Sequence, residues 1–224
     1  MLEINKTGDW NHLLATKLDV AYQIGTNKLS NQILLLPGMS GKKYRTLVNN
    51  LIHELDDARY LEIGVHTGST VCAAGYNNKC FITCVDNWSQ FGGPKDQFLE
   101  NIKMIISDDC SVDFYEDDFR KLDYTSIGKH NVYFYDGPHD YQDQYDGIVV
   151  AQPSLEDEYI LIVDDWNLER VRLGTNDAIK NLGLKVIASI EIVTNLNQEY
   201  PPAGTDCHHG DWHAGYFVSV VSKK

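Results

Sequence analysis

Hydrophobic positions in the first quarter of the chain recur at helical spacing, and from residue 59 onward they recur at strand spacing. In residues 42–55, Tyr44, Leu47, Val48, Leu51, Ile52 and Leu55 fall at i, i+3, i+4, i+7, i+8 and i+11, the stripe of an amphipathic helix. Residues 9–22 carry a weaker stripe of Trp10, Leu13, Leu14, Leu18 and Ala21, with Asp9 as its candidate N-cap. Between the two lies LLLPGMSGKK. Its Gly-Lys pair lacks the GxxxxGK[ST] spacing of a phosphate loop, so it reads as a turn capped by Ser40.

Strand candidates then follow at 59–65, 81–86, 112–117, 131–136, 159–165, 184–193 and 215–222. Helix-length stretches separate the first six, notably 97–108, 141–152 and 168–182. Strands that are apolar on both faces and alternate with helices predict an α/β fold with a parallel, doubly covered sheet. The last two strands have no helix between them and predict an antiparallel hairpin with a long loop, 194–214. No internal repeat, low-complexity tract or linker interrupts the pattern.

Composition narrows the class. A chain of 224 residues with 43% hydrophobic and 23% charged positions suits one globular domain with a full core. The net charge of −13 argues against nucleic acid or an anionic membrane as partner, since both need clustered Lys and Arg. No apolar run approaches the roughly 20 residues that span a bilayer. MLEINKTGDW lacks a basic-then-apolar signal pattern. Five scattered cysteines, Cys72, Cys80, Cys84, Cys110 and Cys207, do not suggest a disulfide framework. A cytoplasmic setting is the expectation.

The candidate chemistry begins at residues 60–70, YLEIGVHTGST: a short strand, an acid, and two glycines that open a helix. Gly64 and Gly68 free the backbone at the turn, and Ser69 and Thr70 stand where a new helix needs oxygen caps. A carboxylate at Glu62 disfavours a phosphate and suits a ligand with a cationic or hydrogen-donating part. Asp86 ends the second strand, 24 residues on, where an acid commonly grips a ribose diol. Trp88 could cover a flat base, and Asp117 and Asp118 end the next strand, where an acid can accept from an adenine amino group. The plain alternative is that these acids cap helices.

The pattern ExGxxxG, followed by acids after the second and third strands, resembles the class I S-adenosylmethionine-dependent methyltransferases. A nicotinamide-binding loop would want GxGxxG, which Glu62 and His66 break. The resemblance implies a Rossmann-like doubly wound seven-stranded sheet, order 3-2-1-4-5-7-6 with the last strand antiparallel. The resemblance covers about residues 45–190; with the helical pattern ahead of it, the chain divides into a helical segment, 1–57, as lid or interface, and a methyltransferase domain, 58–224. The cofactor-binding set it implies is Glu62, Gly64, His66, Gly68, Ser69 and Thr70 on the first loop, Asp86, Asn87 and Trp88 on the second, Asp117, Asp118 and Phe119 on the third, and Asp136.

In that strand order the fourth and fifth strands are neighbours. They end in YFYDGPHDY and LIVDDW, so Asp136, Asp164 and Asp165 meet near the topological switch point. Three carboxylates repel unless a cation sits among them, and hard oxygen ligands favour Mg²⁺. The alternative is that Asp164 and Asp165 cap a helix while Asp136 shapes a turn. DGPH followed by DD resembles the metal-dependent O-methyltransferases of the macrocin and mycinamicin sugar type. The resemblance implies Asp136, Asp164 and Asp165 as metal ligands and His139 as general base, against a bland role for His139 in the turn. Some members have Glu-Asp where this chain has Asp164-Asp165.

The expected activity is methyl transfer to a hydroxyl of a small molecule, a sugar or polyol. One alternative acceptor is a catechol or phenol, stacked by Trp88, Trp166 and Trp212. An alternative of another class is a non-catalytic S-adenosylmethionine-binding regulatory protein. Cys207, His208, His209, Asp211 and His213 fit no standard zinc spacing and read as a substrate lid, with a plain solvated loop and a metal site as the alternatives. A homo-oligomer is left open.

Overall fold

The runs that are apolar on both faces form the centre of the sheet. The structure, a computed structural model, describes residues 2–24, 28–195 and 211–224. Its elements are β1 (Glu3–Gly8), α1 (Leu13–Gln23), α2 (Asn31–Leu34), α3 (Lys42–Glu54), β2 (Ala58–Ile63), α4 (Ser69–Gly75), β3 (Cys80–Asp86) and α5 (Lys95–Ile105). They continue with β4 (Cys110–Glu116), β5 (His130–Tyr135), α6 (Tyr141–Val150), β6 (Leu155–Val163), α7 (Glu169–Asn181), β7 (Lys185–Val193) and β8 (Tyr216–Ser222).

Among the described residues, the sheet has eight strands in the order β1-β7-β8-β6-β5-β2-β3-β4. Strands β4, β3, β2, β5 and β6 pair in parallel, and β8 runs antiparallel between β6 and β7. Numbered from β2, this is the expected 3-2-1-4-5-7-6 order with the last strand antiparallel. Residues alternate between two cores along each central strand. Tyr60, Val132, Phe134, Ile160 and Ile162 pack with α1, α3, α4 and α5. Leu61, Tyr133, Tyr135, Leu161 and Val163 pack with α6 and α7.

Three local expectations change. The first residues are not helical: Glu3–Gly8 adds an eighth strand, antiparallel to β7 from Glu3↔Val193 to Gly8↔Ala188. EINKTG is exposed throughout, so its pairing with β7 and not a buried face makes it a strand, and no apolar alternation announces it. Secondly, no helix joins β4 to β5. There Asp123 Oδ1 accepts from Thr125 N at 2.9 Å and Oγ1 at 2.6 Å, a local bonding pattern that competes with helix. Phe119, Tyr124 and Ile127 of this connection still cover the sheet.

Thirdly, the expected caps do other work. Asp9 Oδ1 accepts from Asn11 N at 2.9 Å, ahead of α1. Ser40 Oγ accepts from Arg45 Nε at 2.9 Å, and Arg45 Nη1 donates to the carbonyls of Ile33 and Leu36, both at 3.0 Å. The buried Arg45 thereby fastens the α2–α3 loop. Among the described residues, no helix is long and apolar enough to cross a membrane.

Candidate active site

The carboxyl ends of β2, β3, β5 and β6 open into one cleft of about 760 Å³. That position follows from topology, because the crossovers part on either side of β2 and β5 and leave a crevice between them.

The glycines are demanded first by the protein itself. A Cβ on Gly64 would lie 1.9 Å from the Asp136 carbonyl oxygen, and one on Gly68 would lie 2.7 Å from Phe98 Cδ2. Both have positive φ, +87° and +77°. Gly64 lines the cleft, with His66, Ser69 and Thr70 beside it. Gly68 and the fully buried Glu62 do not line it. Ser69 and Thr70 do not cap α4, whose N-cap is Gly68. Instead Ser69 Oγ meets Ser40 Oγ at 3.3 Å, and Thr70 Oγ1 donates to Glu62 Oε1. Tyr60 Oη donates to Glu62 Oε2 at 2.6 Å. Burial pushes the Glu62 carboxyl up to about 7, against these two bonds.

Asp86 works as a clamp between loops. Its Oδ2 accepts from His66 N at 2.9 Å and its Oδ1 from Trp88 N at 2.7 Å. Trp88 Nε1 closes the triangle on the His66 carbonyl at 2.8 Å. Burial lowers the His66 imidazole, with Asp86 opposing. Asn87, Trp88, Asp117, Asp118 and Phe119 all line the same cleft.

At the other end, β5 and β6 bring Asp136, His139, Asp164 and Asp165 to the cleft wall. His139 Nε2 lies 3.3 Å from Asp165 Oδ2 and 3.6 Å from Asp136 Oδ1. Burial first, then the charge of Asp165, holds Asp136 well above the usual carboxylate range. Burial first, then Asp136, does the same for Asp164. Asp164 Oδ1, Asp165 Oδ1 and His139 Nδ1 are buried with no hydrogen-bond partner among the described residues. Buried polar atoms rarely stay unpaired, and carboxylates crowded in this way suit a cation.

Backbone strain gathers here too. Among the described residues, the non-glycine positions with left-handed φ are His66, Asn77, Trp88, Phe91, Asp165 and His213, and all but Asn77 line the cleft. Such strain persists where surrounding structure over-determines it, commonly at functional sites.

The cleft also recruits residues that the motifs did not single out: Met39 and Ser40 from the α2–α3 loop, Phe91, Arg120 and Arg170. Arg170 Nε donates to the His139 carbonyl at 2.9 Å. His213 reaches the acids from the segment before β8, and the CHHGDWH run was its only signal. Cys207, His208 and His209 of that run lie outside the described residues. Two of the aromatics considered for stacking an acceptor are turned elsewhere. Trp166 is buried against Phe217, with ring centroids 4.5 Å apart, and Trp212 stacks on Tyr22 at 6.2 Å.

No protein-family model and no curated protein matches the chain. Solved structures do. An S-adenosylhomocysteine-bound methyltransferase of Podospora anserina is 12% identical, with 94% of this chain and 96% of that one aligned and a TM-score of 0.57. A protein of Corynebacterium glutamicum is 15% identical over 93% and 97%, with a TM-score of 0.56. A Pyrococcus horikoshii protein assigned as an RNA methyltransferase is 14% identical over 94% and 98%, with a TM-score of 0.51. The likeness establishes the Rossmann-like methyltransferase fold.

Proposed function

We propose that this chain is an S-adenosylmethionine-dependent O-methyltransferase that acts on a hydroxyl of a small sugar or polyol with the help of a divalent cation. The observation that carries this reading is one cleft joining the glycine loop at Gly64 to the carboxylates Asp136, Asp164 and Asp165. The DGPH and DD motifs, which resemble those of the macrocin and mycinamicin type, favour the same acceptor class. The net charge of −13 speaks against a polyanionic acceptor such as RNA.

S-adenosylmethionine, when bound, supplies a methyl already activated as a sulfonium. Asp86 would accept from the ribose hydroxyls with the lone pairs its two backbone partners leave free. Trp88 and Phe119, which line the cleft, would flank the base, and Asp117 and Asp118 would accept from its amino group. The α2–α3 loop, fastened by Arg45, covers the glycine loop through Thr67 Oγ1 and the Pro37 carbonyl and acts as a lid. Asp136, Asp164 and Asp165 would hold a divalent cation, which would supply positive charge beside the acceptor hydroxyl and ease its deprotonation. His139 would receive the hydroxyl proton at Nε2, which lies 3.3 Å from Asp165 Oδ2 and 3.6 Å from Asp136 Oδ1. Alignment of the acceptor oxygen supplies much of the remaining rate. The reaction is set in the cytoplasm, and the chain needs neither nucleic acid nor membrane.

Calorimetry with S-adenosylhomocysteine, followed by a screen of hydroxylated metabolites for a mass gain of one methyl, tests the reading. Binding with transfer that Asp165→Asn and His139→Ala abolish is the expected result. Absence of S-adenosylhomocysteine binding overturns the whole reading. Binding with turnover indifferent to both substitutions overturns the metal-and-base mechanism, and binding without any turnover favours a regulatory role.

A further inference from the structure

His213 faces the acid cluster yet has no part in the reaction just proposed. Its Nδ1 lies 3.9 Å from Asp164 Oδ2 and 3.7 Å from Asp165 Oδ1. These separations are too long for hydrogen bonds. They match two ligands of one ion, because bonds of roughly 2.1 Å leave ligand atoms about 3.0 to 4.2 Å apart. One ligand atom each from Asp164, Asp165 and His213 fits within 4.8 Å of the others, as does one each from Asp136, His139 and Asp164.

A second observation points to a ligand between them. Asp164 and Asp165 are each 2% exposed, and the Oδ1 of each is without a hydrogen-bond partner among the described residues. His213 is also held in place. Its φ is 43°, and its side chain is 8% exposed. Thr194 Oγ1 donates to its carbonyl at 2.9 Å, and Asn167 ties Thr194 by two bonds of 2.9 Å. Trp212, immediately before it, is anchored between Tyr22 and Tyr216. A histidine fixed at this cost in backbone strain is positioned and not merely accommodated.

The geometry assigns His213 Nδ1 as a metal ligand beside Asp164 and Asp165, in a mixed imidazole–carboxylate site that prefers Mn²⁺, Co²⁺ or Zn²⁺ to Mg²⁺. The inference deepens the metal part of the proposed function and rests on it. Carboxylates alone suit Mg²⁺, a hard ion that keeps its waters, whereas imidazole nitrogen suits the first-row transition metals.

The test uses the full chain, stripped with EDTA and desalted. Mn²⁺ and Mg²⁺ are titrated by calorimetry, and Co²⁺ is followed by its visible absorption. Mn²⁺ is expected to bind at least about tenfold more tightly than Mg²⁺. His213→Ala is expected to weaken Mn²⁺ and Co²⁺ by roughly 10- to 100-fold and to alter the Co²⁺ band, with Mg²⁺ changed less than about twofold. Pulsed electron paramagnetic resonance of the Mn²⁺ protein should show nitrogen coupling that persists in His139→Ala and vanishes in His213→Ala. Wild-type protein without any nitrogen coupling overturns the inference and needs no variant to fold. An unchanged Co²⁺ band in His213→Ala, alongside binding still lost in Asp165→Asn, overturns the role of His213 and spares the acidic site. Wild-type protein that binds none of these ions overturns both.

Discussion

The two ends of the cleft both present carboxylates, and they treat them in opposite ways. Around the glycine loop the acids, Glu62 buried behind it and Asp86 on the cleft, are already served by the protein. Tyr60 and Thr70 donate to Glu62, and the amides of His66 and Trp88 donate to Asp86. At the β5–β6 end, Asp164 and Asp165 are as deeply buried as Glu62 but each keeps an oxygen unserved. Satisfied acids shape and lock loops; unsatisfied acids in a crowd await a positive charge. On the proposed function, the first end would receive the organic ligand and the second would hold a cation.

Substitution at the unserved end should have the largest effect. Asp165→Asn is expected to lower kcat/KM at saturating metal by about 10³-fold or more, on the order of 4 kcal/mol, while S-adenosylhomocysteine affinity holds within a few-fold. Steady-state kinetics paired with calorimetry reads both.

Gly64→Ala comes next, since it joins the two ends. The added Cβ would stand 1.9 Å from the Asp136 carbonyl oxygen on a backbone with φ of +87°. A loss of about 3 kcal/mol or more in urea unfolding is expected.

The third effect concerns pH. Glu62 is raised from 4.5 to about 7, so the folded chain holds a proton through that window which the unfolded chain has released. Stability should therefore fall as pH rises from 4.5 to 7, by about 3 kcal/mol at most from this group. Asp136 and Asp164 are raised as well and act with the same sign. Glu62→Gln should flatten the slope in thermal melts. A divalent cation should stabilise more at pH 8 than at pH 5.5, because it binds the ionised Asp136 and Asp164; equal stabilisation would dissolve the contrast between the two ends.

Asp86→Ala should be the mildest. Freeing two backbone donors costs about 1–2 kcal/mol and should weaken S-adenosylhomocysteine by roughly tenfold. Metal binding should stay unchanged.

The sequence made the same two ends legible to different degrees. Strands β2, β3, β5 and β6 were readable because both their faces are buried, and residues at the carboxyl ends of parallel strands must meet. That placed Gly64, Asp86, Asp136, Asp164 and Asp165 at one crevice. Period-two alternation also puts Glu62 on the same face as Tyr60, under α4, so its turn away from the cleft was readable but outweighed by its position in the glycine motif. β1 was hidden because EINKTG owes its form to β7. The β4–β5 connection was hidden because Asp123 wins the local competition for backbone donors. His213 and Ser40 reach the site from segments far from the strand ends in sequence, a proximity that only the packed topology creates, and Arg170 reaches it from the first turn of α7.

The sharpest single measurement is divalent-ion stoichiometry by equilibrium dialysis on wild-type protein and on the Asp164→Asn, Asp165→Asn double variant, each first shown to bind S-adenosylhomocysteine. One equivalent of metal in the wild type and none in the variant, with cofactor product bound by both, is the expected result. Wild-type protein that binds S-adenosylhomocysteine but no divalent ion, or a variant that keeps its metal, would contradict the division of the cleft into an organic end and a cation end.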